Sequence, residues 1–114
     1  VILIKSPLLF DIIRYFRAML TFEKFSSSTV LAVPPSELSI WLESLWWDKK
    51  GDWQKAHDLI DHLQDSNSAH VHAYLHRKEK DLWNARYWYN RAKKSEFIGP
   101  LDDEWEQLVR IHLF

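Results

Sequence analysis

Two stretches of this chain can be laid on one another, and that correspondence limits the possible folds more than any other feature. Gly51-Asp52-Trp53-x-x-Ala56 matches Lys80-Asp81-Leu82-x-x-Ala85, with Ala85 lying 29 positions beyond Ala56. Upstream, Ser44-x-x-Trp47 matches Ala73-x-x-His76. Downstream, Ile60 and Leu63 match Tyr89 and Ala92. Each unit reads as two helices joined by a very short turn, and such turns connect only antiparallel neighbours. The small residues let paired backbones approach, and bulky residues one turn away fill the groove between them. The expected class is therefore all-α, built from antiparallel helical hairpins.

The helical periodicity begins after Pro35. Ser36 is a suitable N-cap for a helix carrying Leu38, Trp41, Leu42, Leu45 and Trp46 and ending near Gly51. Asp52 can cap the next, with Trp53, Ala56, Leu59, Ile60 and Leu63 on one side. The polar string at 64–68 interrupts the pattern, and a third helix is expected over 69–79. Asp81 can cap a fourth, bearing Leu82, Ala85, Tyr89 and Ala92. Residues 93–100 contain Gly99-Pro100, a strong break. Leu101, Trp105, Leu108, Val109 and His112 then mark a last helix, with Asp102, Asp103 and Glu104 in its first turn, where the helix dipole favours them.

Residues 1–35 read as an appendage to the helical domain at 36–114. Over 8–22, Leu8, Leu9, Ile12, Ile13, Phe16, Met19 and Leu20 follow helical spacing, with Asp11, Arg14 and Arg17 on or near the other side. Those charges argue against a transmembrane span and interrupt any signal-peptide core. The segment is expected to dock on the domain; adsorption to a membrane surface is the alternative, against which stands a polar face not rich in Lys or Arg. Residues 26–35, with three serines and a Pro-Pro pair, read as a linker. Two hairpins cannot bury both their outer faces, so the first and last helices are natural end caps.

The pattern small-x-x-aromatic, then Gly-Asp-aromatic-x-x-Ala, then an apolar residue four positions on, resembles a tetratricopeptide repeat. Asn84-Ala85-Arg86-Tyr87-Trp88-Tyr89-Asn90-Arg91-Ala92 is similar to the second helix of the related Sel1-like repeats, which favour A-x-x-W-Y-x-x-A. The likeness covers residues 37–97. It departs from the family in its shorter period, in Lys80 at the turn glycine, and in His72 where a large aliphatic residue is expected. The resemblance implies a short solenoid-like stack in which the first helix of each hairpin lines a concave groove for a peptide or partner helix. Carried over residue by residue, the contact positions are Trp41, Leu45, Asp48 and Lys49 in the first hairpin. In the second they are Asn67, His70, Tyr74, Arg77 and Lys78. Arg77 offers a bidentate clamp for a carboxylate, and Tyr74 a flat contact of low entropy cost.

Composition excludes several chemistries. Fifteen basic and 16 acidic residues leave a net charge of −1, which makes no case for nucleic acid. The absence of cysteine removes disulfides, thiolate metal sites and a cysteine nucleophile. Two glycines make no phosphate-cradling loop. Serines fall mainly at caps and in the linker, without G-x-S-x-G, and no carboxylate pair has a spacing that by itself implies acid/base work. Seven tryptophans, four tyrosines and six phenylalanines are a heavy load for 114 residues; the core takes most, and the rest can anchor a binding surface.

His72-Ala-Tyr-Leu-His76 is the best metal candidate. Histidines four apart share a helix face, and Glu79 lies three further along the same side. No second motif completes the set, and His76 occupies the slot of Trp47, so the leading expectation gives both histidines structural roles, with no metal and no other cofactor. The leading functional expectation is a cytoplasmic protein–protein interaction module with a protein or peptide partner, using Trp41, Asp48, Lys49, His70, Tyr74, Arg77 and Lys78. The alternative is a small metal- or ligand-binding helical protein using His72, His76 and Glu79, and a weaker one is a peripheral membrane adaptor held by residues 8–22.

Overall fold

A computed structural model describes Asp11 and residues 19–113. Among the described residues all regular structure is helical: α1 Phe22–Ser28, α2 Ile40–Lys50, α3 Trp53–Ile60, α4 Ser66–Lys78, α5 Leu82–Ala92 and α6 Leu101–His112. Most of the amphipathic segment expected at 8–22 lies outside the described residues. At its end Leu20 and Thr21 are not helical, and Thr21 restarts the chain as a cap, its Oγ1 accepting from the Lys24 amide at 3.1 Å.

The two hairpin turns are near-copies in geometry. Gly51 lies in the left-handed region at φ 95°, and Lys80 takes the same place at φ 67°. The Asp52 amide donates back to Trp47 O at 2.9 Å, and the Asp81 amide to His76 O at 2.9 Å. This is the hydrogen bond by which a left-handed residue closes a helix C-terminus. Each Asp then caps the following helix, accepting from the amides of Lys55 and Asn84 respectively. Within the hairpins, Ser44 Oγ donates to Ala56 O at 2.8 Å, and Ser66 Oγ, at the start of α4, donates to Ala92 O at the end of α5. Buried Ala56 and Ala85 are the close-approach positions.

Three boundaries differ from the expectation. The first helix of the domain is capped by Ser39, whose Oγ accepts from the Leu42 amide at 3.2 Å, rather than by Ser36, because Glu37 at φ 68° breaks any earlier helix. The polar string at 64–68 starts α4 instead of interrupting it: Asp65 accepts from both the amide and the hydroxyl of Ser68. The serines assigned to a linker finish α1, and Ser28 Oγ donates to Phe25 O while accepting from the indole of Trp46 at 3.0 Å.

The core joins residues from α1, both hairpins and α6. Phe25, Leu45, Trp46, Ile60, Val71, Leu75, Leu108 and Val109 are fully buried, with Trp105 nearly so. Each buried side chain of this size contributes roughly 2–3 kcal/mol of transfer free energy. α6 packs on α2 and α4. The indole of Trp105 donates to Leu45 O at 2.9 Å. Glu104, fully buried, accepts from Arg77 Nη1 at 3.0 Å and from the Tyr89 hydroxyl. Burial pushes the Glu104 carboxyl upward, opposed by its bonds to Tyr89 and Arg77.

Candidate metal centre

Trp53 and His57 are four apart on α3 and so share a face. That face turns toward α4, where His72 and His76 stand one turn apart on the facing side. The outcome is three imidazoles in one cluster. His57 Nε2 and His72 Nε2 are 3.0 Å apart, and ring centroids are separated by 4.7 Å for His57–His72, 5.3 Å for His57–His76 and 4.8 Å for His72–His76. One ligand atom from each lies within 4.8 Å of the other two.

Indoles wall the cluster on two sides. Trp53 stacks on His57 at 4.8 Å and 12°, held in place by its Nε1 donating to Leu75 O at 2.8 Å. Trp88, from α5, stacks on His72 at 4.0 Å and 19°. His72 and His76 are buried, whereas the His57 side chain is 18% exposed. His76 Nδ1 is 2.7 Å from Glu79 Oε1. A carboxylate can only accept, so Nδ1 of His76 carries a proton and Nε2 is the ring nitrogen that Glu79 does not engage. Carboxylates also flank His57 Nδ1, with Asp58 at 4.0 Å and Asp61 at 3.8 Å.

Electrostatics keep the cluster available to a cation. Burial and then the charge of His76 lower the pKa of His57, against the pull of Asp61, Asp58 and Glu79. Burial, His76 and His57 together bring His72 down to about 3. Both are therefore neutral at pH 7, the form that ligates metals. The Nδ1 atoms of His57 and His72 are buried without hydrogen-bond partners, so the ring pair is only half satisfied by its mutual contact. A tetrahedral ion with metal–nitrogen bonds near 2.0–2.1 Å sets its ligands ~3.4 Å apart. The His57–His72 separation is already close to that, and a ring nitrogen of His76 lies within 4.8 Å of both.

The residues expected to line a partner groove have other surroundings. Asp48 and Tyr74 are buried together, with the Tyr74 hydroxyl donating to Asp48 Oδ2 at 2.6 Å and Lys78 Nζ donating to Oδ1 at 2.8 Å. Burial, followed by the Asp48 charge, raises the Tyr74 pKa. Arg77 is held by Glu104 and by Gly99 O. Trp41 donates to Ser68 Oγ at 2.9 Å and stacks on His112, and His70 is buried near Tyr89. Lys49 alone of the seven is exposed, its Nζ 5.0 Å from the Trp105 ring centroid. The flat solvent contact expected of Tyr74 is thus absent: α6 lies over the face formed by α2 and α4.

Of the expected metal set, His72 and His76 converge and Glu79 orients His76. The member that sequence reasoning missed is His57. Its signal was weak: one position after Ala56 and four after Trp53, it belongs to the face of α3 that meets the next hairpin. Comparison with protein-family models, curated proteins and solved structures found no match for the chain. No helix among the described residues is long and apolar enough to cross a membrane.

Proposed function

We propose that this chain is a helical module that binds a divalent transition-metal ion through His57, His72 and His76, with Glu79 fixing the tautomer of His76. The observation that carries this reading is the convergence of three imidazoles from two consecutive helices, two of them neutral through burial. Nitrogen donors of this kind suit zinc, cobalt and nickel over magnesium or calcium. The test is thermal unfolding of metal-free protein with and without added zinc, cobalt or nickel. A ligand that binds only the native state at a hundredfold excess over Kd stabilises by about 2.7 kcal/mol. The gain should vanish in His72→Gln and His57→Gln variants that keep the parent circular dichroism. An unfolding transition indifferent to all three metals would overturn the reading.

A second reading, a non-enzymatic protein–protein interaction module in the cytoplasm, is favoured by a different observation. On α5, Trp83 is 76% exposed, with Leu82 and Tyr87 exposed beside it. Tetratricopeptide-like hairpins, which the sequence resembles, commonly serve as such modules. Under this reading the contact with a protein or peptide lies on the outer face of α5, since Tyr74, Arg77 and Lys78 are engaged within the chain. A defined partner lost by a folded Trp83→Ala, Tyr87→Ala double variant, and retained by Lys49→Ala, supports this face. Retention by the double variant removes it.

A further inference from the structure

We propose that the ion at His57, His72 and His76 keeps a coordination position for a small monoanion; the inference rests on the metal reading above. Three histidines supply three donors, and a tetrahedral ion needs a fourth. Among the described residues the nearby carboxylates stand at the wrong edge of the rings. Glu79 engages Nδ1 of His76, and Asp58 and Asp61 lie beside Nδ1 of His57. The Nε2 atoms of His57 and His72, by contrast, face one another, and that of His76 is free of Glu79.

Charge then selects the fourth ligand. An imidazole ligates through a lone pair and brings no charge, so none of the three direct ligands offsets the divalent charge of the ion in a site where His72 is buried. The ion's own charge dominates such a site and favours an anion on it. The negative charges of Glu79, Asp58 and Asp61, beside the Nδ1 edges of His76 and His57, oppose polyanions. Trp53 and Trp88 stack on two of the three rings and restrict the space. Hydroxide, azide or formate meets these limits; a phosphate ester does not. The partly exposed His57 marks the side from which such a ligand enters.

The experiment loads metal-free full chain with cobalt(II) and records the visible spectrum during titration with azide, formate and inorganic phosphate. The expected result is a saturable shift of the cobalt bands with azide and formate, and a far weaker response to phosphate. The shift should be lost in His57→Gln, checked for fold by circular dichroism. A cobalt spectrum that appears on loading, needs His72, and ignores azide and formate overturns this inference while leaving metal binding intact. A chain that produces no cobalt bands overturns both. Equal responses to phosphate and azide overturn the assigned ligand class.

Discussion

The two hairpins share a turn and a cap but are furnished differently. At matched positions 29 residues apart, α2 carries Trp41, Glu43 and Trp47 where α4 carries His70, His72 and His76. Both helices are first members of their hairpins, and both lie against α6. α2 meets α1, α3, α4 and α6 with indoles that fill space and donate outward, as Trp41 does to Ser68 and Trp46 to Ser28. α4 also meets α3 of the preceding hairpin, and only there do ring nitrogens face one another. With two hairpins there is a single junction of this kind, so the described residues build one imidazole cluster, although the turns occur twice. Likeness of backbone therefore does not carry likeness of site.

The largest expected effect falls where the hairpins are alike. Trp46 and Leu75 are matched positions and both fully buried. Trp46→Ala and Leu75→Ala should each cost about 3–5 kcal/mol in urea unfolding, from lost transfer energy and the cavity left behind. A small cost at either one would show that the two hairpins do not share one core.

Acid sharpens the difference between them. His70 stands where the first hairpin has Trp41; burial, then the charges of Lys94 and His112, bring its pKa down to about 4. His112, which stacks on Trp41, is also lowered by burial. A histidine with a depressed folded pKa contributes its full stability above the unfolded value of 6.5. That contribution is lost as pH falls from 6.5 toward 4, where the unfolded chain binds protons and the native state does not. For His70 alone the loss is roughly 3 kcal/mol. Denaturant titrations of metal-free protein from pH 8 to 4.5 should show this decline, and His70→Phe should flatten part of it. Constant stability down to pH 5 would contradict neutral burial.

Glu79 gives a smaller effect that separates its role from a packing one. Its match in the first hairpin is Lys50, which reaches Leu31 O instead. Removal of a carboxylate that orients a metal-bound histidine lowers affinity by about 10–100-fold. Glu79→Gln should therefore weaken zinc binding in competition titration while leaving metal-free stability nearly unchanged. An unaltered affinity would reduce Glu79 to a surface charge.

The smallest effect tests the turns. Lys80 holds a left-handed conformation that costs a side chain about 1 kcal/mol. Lys80→Gly should stabilise the second hairpin by that order, and Gly51→Ala should destabilise the first by a similar amount. The sign of the pair, read from urea midpoints, is the informative quantity. Two changes of the same sign would break the equivalence of the turns.

Much of the fold was legible because its signals are local. Asp52 and Asp81 cap the helices assigned to them, and Gly51, Ala56 and Ala85 mark a turn and two close approaches. The misplaced starts were local too: Ser39 and Asp65 competed with Ser36 and a polar string, and periodicity does not rank adjacent candidate caps. The candidate site was only half legible. A spacing of four puts His72 and His76 on one face of one helix, and Glu79 follows on the same side. Nothing in that spacing indicates what stands opposite. Likewise the groove residues Asp48, Tyr74 and Arg77 suited an open surface until α6 supplied Glu104 and Trp105.

By itself, the sequence determined the all-helical class, the helix pairs and their turns, because caps, periodicity and left-handed residues act within a few positions along the chain. Tertiary structure alone decided that His57 completes the imidazole cluster, that Trp53 and Trp88 enclose it, and that α6 covers the face of α2 and α4. These depend on which helix faces meet across separations of 15 to 60 residues. Burial then acts on what has met. It keeps His57 and His72 neutral, raises Tyr74, and turns residues suited to a partner into contacts of the chain with itself.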